Sequence, residues 1–196
     1  MNEFERNPTR PRPDAPPGRL RKTVVMVGMM GAGKTAVGRA LAARLNVPFL
    51  DSDAEIEAAA NMTVPEIFSR DGEAFFRRKE SQVIRRLLDE ECGILSTGGG
   101  AFLAEANRKM ISERGISVWL KADLDVLWSR VRHKNTRPLL RTENPRATLS
   151  ELYEARVPLY AQADLCVVSD ARVSISDMVD RVLVALAGRP DVLEPL

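Results

Sequence analysis

The sequence predicts an α/β fold in which a parallel sheet is covered by helices on both faces. Short apolar runs alternate with amphipathic helical patterns along most of the chain, as parallel sheets require, because each strand needs a crossover before the next. The first apolar run, Thr23 to Val27, leads through glycines directly into a helical pattern. At 196 residues the chain is long enough for one well-buried core, so we expect a single domain.

The chain begins with a segment unlike the rest. Residues 1–20 hold prolines among arginines and acids and almost nothing apolar. We expect residues 1–20 to form a disordered tail and residues 21–190 to form the folded domain.

Predicted strands and helices alternate after this tail. The strands are assigned to residues 23–27, 48–50, 93–96, 116–120 and 165–168. The helices are assigned to residues 34–45, a segment starting at 53, 63–69, 72–89, 105–114, 123–131, 149–161 and 176–187. Thr63 and Glu66 are spaced as a capping box, and we expect Asp53 to cap the helix that begins beside it.

The composition excludes several classes of protein. No apolar run approaches the ~20 residues of a membrane span, so we expect no membrane partner. The net charge of +2 does not favour nucleic acid as a partner. Cys92 and Cys166 have no Cys or His at metal-ligand spacing, and we expect free, buried thiols in a reducing cytoplasm. The single histidine, His133, lies in a basic polar stretch and is expected to be solvated.

A glycine-rich phosphate-binding loop, the P-loop, follows the first strand. Gly28, Gly31 and Gly33 let the backbone curl so that successive N–H groups point into one concavity. The helix that starts near Lys34 adds its positive end, and the lysine can reach the outer phosphates of a nucleotide. Thr35 is placed to bind the magnesium ion that accompanies ATP. The motif therefore predicts ATP and Mg²⁺ as ligands.

Two aspartates follow the second strand. The strand ending at Ser96 runs into three glycines and supplies no carboxylate for the metal, so Asp51 is the nearest candidate. Asp53 is two residues further on and can face a second substrate if the loop is partly extended. Capping alone would also explain Asp53, and the two roles do not exclude each other.

Two further features can bind a small anion. Arg77 and Glu80 share a helix face, and an arginine held by a glutamate presents paired donors to a carboxylate. A surface ion pair explains the same spacing. The triplet Gly98 to Gly100 is either a plain turn or a surface that a ligand approaches closely.

The segment from Arg130 to Arg146 is rich in basic residues and loses regular periodicity. A solvated charged face explains this pattern, but a basic loop could also close over a nucleotide and bring an arginine to the transferred phosphoryl group. Nucleic-acid binding is disfavoured because the segment lacks aromatic residues.

These motifs together resemble the shikimate kinase family from about Lys22 to the last helix. The matching stretches are Gly28–Thr35, Asp51–Asp53, Phe76–Glu80, Thr97–Gly100, Thr136–Leu140 and Arg156–Tyr160. The resemblance implies a three-layer α/β sandwich with a five-stranded parallel sheet, of the P-loop, nucleoside-monophosphate-kinase type, with a mobile lid at about 132–146. It also implies transfer of the γ-phosphoryl group of MgATP to the 3-hydroxyl of shikimate.

The resemblance further implies a role for each matched position. ATP would be bound by Gly31, Ala32, Gly33, Lys34, Thr35, Ala36, Arg132, Arg137 and Arg172. Shikimate would be bound by Asp53, Arg77, Gly99 and Arg156. Magnesium would be bound by Thr35 and Asp51. The catalytic residues would be Asp53 as base, Lys34 and Arg137.

Several points stay open at this stage. Either Arg130 or Arg132 could contact adenine, and Arg172 lies in a loop without the proline often found in this family. A gluconate kinase or a nucleotide-binding regulatory module would share the P-loop. We expect a monomeric cytoplasmic enzyme.

Overall fold

The computed structural model describes residues 16–134 and 137–195. Its strands are β1 (Gly18–Leu20), β2 (Thr23–Val27), β3 (Phe49–Asp51), β4 (Ile94–Ser96), β5 (Gly115–Ala122), β6 (Leu165–Ser169) and β7 (Leu193–Pro195). Its α-helices are α1 (Lys34–Leu45), α2 (Ser52–Ala60), α3 (Val64–Asp71), α4 (Glu73–Glu90), α5 (Glu105–Arg114), α6 (Leu124–Val131), α7 (Pro145–Tyr160) and α8 (Ile175–Ala187). Short 3-10 helices cover Ala101–Leu103 and Pro138–Leu140.

Five parallel strands form the central sheet in the order β3-β4-β2-β5-β6. This confirms the predicted α/β architecture. The register pairs Asp51 with Ser96 and Ser96 with Met26, so β3, β4 and β2 end side by side. The loops that follow these strands therefore open at the same edge of the sheet, where ligands of such sheets bind.

The core is built around β2, all of whose residues are buried. On α1 the predicted apolar face is confirmed, because Val37, Leu41 and Leu45 are buried. A second, smaller apolar cluster of Ile56, Ile67 and Phe76 joins α2, α3 and α4. This cluster fixes the helices that carry Asp53 and Arg77.

The prediction that the disordered tail extends to residue 20 is wrong. Gly18–Leu20 form β1, which pairs antiparallel with β7 near the carboxyl end of the chain. Leu20 is buried, and Arg21 forms an ion pair with Glu194. The folded part thus begins before residue 21 and continues beyond residue 190. The remainder of the expected tail, residues 1–15, lies outside the described residues.

Two smaller expectations are also wrong. Asp51, not Asp53, is the N-cap of α2, since its carboxylate accepts hydrogen bonds from the backbone N–H groups of Asp53 and Ala54. Cys92 and Cys166 are free, as expected, but exposed rather than buried. The capping box of Thr63 and Glu66 is confirmed.

No helix in residues 16–134 and 137–195 has both the length and the apolar character needed to cross a membrane.

Candidate active site

A cavity of about 1180 Å³ opens at the carboxyl ends of the strands. It collects most of the residues that the sequence singled out as ligand-binding. These are Gly31, Ala32, Gly33, Lys34, Thr35, Ala36, Asp51, Asp53, Arg77, Gly99, Arg137 and Arg156. Phosphate-binding backbone, carboxylates and arginines therefore share one space.

The P-loop has the conformation that its glycines predict. Gly31 and Gly33 have φ angles of 82° and 95°, which side-chain-bearing residues rarely adopt. The Lys34 ammonium donates to the carbonyl oxygens of Gly28 at 2.8 Å and Met29 at 3.0 Å. Burial, and then the nearby Arg137 charge, lower the pKa of Lys34 to about 8. The loop thus surrounds a cation that still favours its charged form at neutral pH.

The two aspartates are held differently, although they are neighbours. The capping hydrogen bonds tie the Asp51 carboxylate to the start of α2. Asp53 makes no such contact, and its Oδ1 atom is buried without a hydrogen-bond partner among the described residues. Burial and the Asp51 and Glu57 charges raise the pKa of Asp53 to about 6. Asp53 is therefore a carboxylate with a free acceptor and a pKa close to neutral.

Arg77 is held by a buried acid, as the spacing on α4 suggested. Its Nη1 atom donates to Glu80 Oε2 at 2.7 Å, and the Glu80 side chain is only 1% exposed. Burial raises the pKa of Glu80, and the hydrogen bond and charge of Arg77 oppose that rise. The Arg77 guanidinium also lies over the Phe76 ring, 5.3 Å from its centroid. Arg77 is therefore a cation of the cavity wall whose acidic partner is buried, unlike an ion pair on the open surface.

The glycine triplet is where these groups meet. A Cβ atom at Gly98 would lie 3.1 Å from Asp53 Oδ1 and 3.4 Å from Glu80 Oε1. A Cβ atom at Gly99 would lie 3.2 Å from Arg156 Nη1. At Gly100 it would overlap the Arg77 guanidinium. The triplet is thus no plain turn, because two acids and two arginines occupy the space that side chains here would need.

The sequence left open whether Arg130 or Arg132 contacts adenine, and in the structure Arg130 reaches the cavity. Its guanidinium donates to Gly31 O at 3.2 Å, Ser169 Oγ at 3.0 Å and Asp170 O at 3.2 Å. Arg132 is exposed and lines a separate pocket of about 290 Å³ beside α6. Arg172 is exposed and does not line the cavity. Neither Arg132 nor Arg172 lines the cavity in this structure, and their assignment to the ATP site stays a prediction.

Arg137 lines the cavity from the basic segment. Its Nε atom is buried without a hydrogen-bond partner among the described residues. The neighbouring residues 135 and 136 lie outside the described residues. Closure of the expected lid at 132–146 stays a prediction.

The cavity also offers oxygen ligands of the kind that magnesium prefers. The Thr35 side chain lies at the start of α1, and Asp51 lies at the end of β3. Both line the cavity. A hydroxyl and a carboxylate next to a phosphate-binding loop fit Mg²⁺, which usually binds through one or two carboxylates together with substrate phosphates.

Sequence reasoning missed part of the cavity wall. Phe68 lines it, although no sequence motif singles this residue out. Ser169, the last residue of β6, and Val173 also line it. No local motif marks Ser169 and Val173, since they reach the cavity through the pairing of β6 with β5.

Comparisons with known proteins agree with this geometry. The family model for shikimate kinase matches residues 30–187. The shikimate kinase of Ruegeria pomeroyi is 78% identical over 175 residues, covering 89% of this chain and 90% of the relative. The shikimate kinase of Cereibacter sphaeroides is 72% identical over 176 residues, covering 90% and 88%.

Solved structures give the same result. A shikimate kinase from Acinetobacter baumannii in complex with shikimate has a TM-score of 0.79 and 38% identity, covering 86% of this chain and 94% of that one. A gluconokinase from Sinorhizobium meliloti has a TM-score of 0.57 at 20% identity, covering 87% and 94%, and shares the fold alone. By sequence and by structure, the chain belongs to the shikimate kinase family.

Proposed function

We propose that the protein transfers the γ-phosphoryl group of MgATP to the 3-hydroxyl of shikimate, giving shikimate 3-phosphate and ADP. The observation that carries this proposal is the grouping of Asp53, Arg77 and Arg156 around one glycine triplet inside the P-loop cavity. A hydroxylated carboxylic acid needs cations for its carboxylate and an acceptor for its hydroxyl proton. This part of the cavity contains both.

Arg77 and Arg156 bind the substrate carboxylate in this proposal. A guanidinium offers paired donors in one plane, which match a carboxylate better than a point charge does. Glu80 holds Arg77 before substrate arrives, so less side-chain freedom is lost on binding. Gly99 lies beside Arg156 and completes the contact surface.

Asp53 binds the substrate hydroxyl and accepts its proton. Its Oδ1 atom has a free acceptor position, and a pKa of about 6 leaves most of the side chain ionised at neutral pH. A general base works best when its pKa is near the working pH.

The P-loop and the basic residues bind ATP. The backbone of Gly31, Gly33 and Ala36, with the Lys34 ammonium, surrounds the place of the phosphates, and Arg137 approaches from the basic segment. Thr35 and Asp51 hold the metal. Magnesium, when bound, neutralises the charge that develops on the phosphates. Since phosphoryl transfer asks for little covalent work, positioning and charge neutralisation by these residues supply the catalysis.

The remaining parts of the proposal concern adenine binding, the oligomeric state and the location of the enzyme. Arg130 is assigned to the adenine side of the cavity because it bridges Gly31 with Ser169. We further propose a monomer in the cytoplasm, without a nucleic-acid or membrane partner.

A coupled assay of ADP release tests the proposal. We expect release that depends on shikimate, that gluconate does not support, and that is lost in Lys34→Ala. ADP release that gluconate stimulates instead, or that shikimate does not change, would refute the substrate assignment. Wild-type turnover by Lys34→Ala would refute the role of the loop.

A further inference from the structure

Tyr160, at the end of α7, connects two parts of the cavity wall. Its hydroxyl donates a 2.6 Å hydrogen bond to the carbonyl oxygen of Gly99. The side chain is fully buried, and its ring contacts Phe102 and Trp119 with centroids 6.5 Å and 6.4 Å apart. The ring is thus fixed by packing, and the hydroxyl points at the glycine triplet.

Arg156 lies beside the same hydroxyl. The two residues are four positions apart on α7 and share a helix face. A Cβ atom at Gly99 would lie 3.2 Å from Arg156 Nη1 and 3.5 Å from the Tyr160 hydroxyl oxygen, so both groups flank the same backbone position. Because the phenol proton points to the Gly99 carbonyl oxygen, the phenol oxygen is left to face the neighbouring guanidinium as an acceptor.

We propose that Tyr160 is a positioning residue. It holds the Arg156 guanidinium and the Gly99 backbone in the places from which they bind the substrate carboxylate. This inference rests on the proposed function, which assigns both groups to shikimate. Without the phenol hydroxyl, the Gly99 carbonyl loses its donor and Arg156 loses the polar neighbour that flanks its guanidinium. The contribution is specific to the acid substrate, because Tyr160 acts through Arg156 and Gly99.

Tyr160→Phe tests the inference, since it keeps the ring contacts and removes only the hydroxyl. We expect the KM for shikimate to rise roughly three- to tenfold, the effect of one lost hydrogen bond, while the KM for ATP stays unchanged. Tyr153→Phe is the matched control. Tyr153 is the other tyrosine of the chain, lies half-buried on the same helix and does not line the cavity, so its variant should keep both constants.

A double-mutant cycle with Arg156→Lys separates positioning from general packing. If Tyr160 acts through Arg156, the double variant should bind shikimate about as weakly as Arg156→Lys alone. Fully additive losses, equal rises of both KM values, or a wild-type KM for shikimate in Tyr160→Phe would overturn the inference while leaving the proposed function intact. Absence of shikimate-dependent turnover in the wild type would instead overturn both.

Discussion

Replacing Asp53 by asparagine should stabilise the protein while removing most of its activity. The pKa of Asp53 is raised from 3.8 to about 6, mainly by burial. A raised pKa means that the ionised carboxylate is less favourable in the folded protein than in the unfolded chain. The folded protein therefore loses stability as the pH rises from 3.8, the ordinary pKa, to about 6, the pKa of Asp53 in the folded state. A difference of this size corresponds to about 3 kcal/mol at pH values above the folded pKa.

Urea denaturation at two pH values measures this effect. Asparagine has the shape of the protonated acid and does not ionise, so Asp53→Asn should exceed the wild type by about 3 kcal/mol at pH 8 and by roughly half of that at pH 5. Asp180→Asn, at an exposed position on α8, is the control and should match the wild type at both pH values.

Steady-state kinetics on the same variants completes the test. In the proposed mechanism Asp53 takes the hydroxyl proton, so the turnover of Asp53→Asn should fall by a factor of about 10²–10⁴. In the wild type, kcat/KM should rise with pH to a plateau above the pKa of Asp53. A variant that is less stable than the wild type at pH 8, or that turns over at nearly the wild-type rate, would refute this reasoning.

Three further variants probe other parts of the account. Arg77→Lys keeps the charge but loses the paired donors, so the KM for shikimate should rise far more than the KM for ATP; equal rises would contradict the assignment. Asp51→Asn can still cap α2 but loses its charge, so half-maximal activity should need a higher Mg²⁺ concentration and excess Mg²⁺ should partly restore turnover; no rescue would argue against Asp51 as ligand. Leu20→Ala removes buried surface from β1, so urea denaturation should show a loss of about 2 kcal/mol with unchanged kinetic constants; an altered KM would tie β1 to the site.

The parts of the site that the sequence predicts correctly are set by short-range geometry. The P-loop conformation depends on glycines a few residues apart, and the contact of Arg77 with Glu80 depends on spacing along one helix turn. Such short-range patterns determine the local geometry in any fold that contains them.

The parts that the sequence leaves open or misplaces depend on where an element ends or on pairing across the chain. Arg130 and Arg132 are two residues apart, so they point in different directions, and which one reaches the cavity depends on how α6 ends. The pairing of β1 with β7 joins opposite ends of the sequence, and a three-residue strand carries no periodicity that reveals it.

The identity of the phosphorylated hydroxyl tests the central claim most directly. Phosphorus–proton correlation NMR on the product of MgATP and shikimate assigns the phosphate to one oxygen. In the proposed mechanism, Arg77 and Arg156 bind the carboxylate and Asp53 accepts the proton of the 3-hydroxyl, so we predict phosphate on the 3-hydroxyl alone. Phosphate on another hydroxyl, or free phosphate as the only product, would contradict the account.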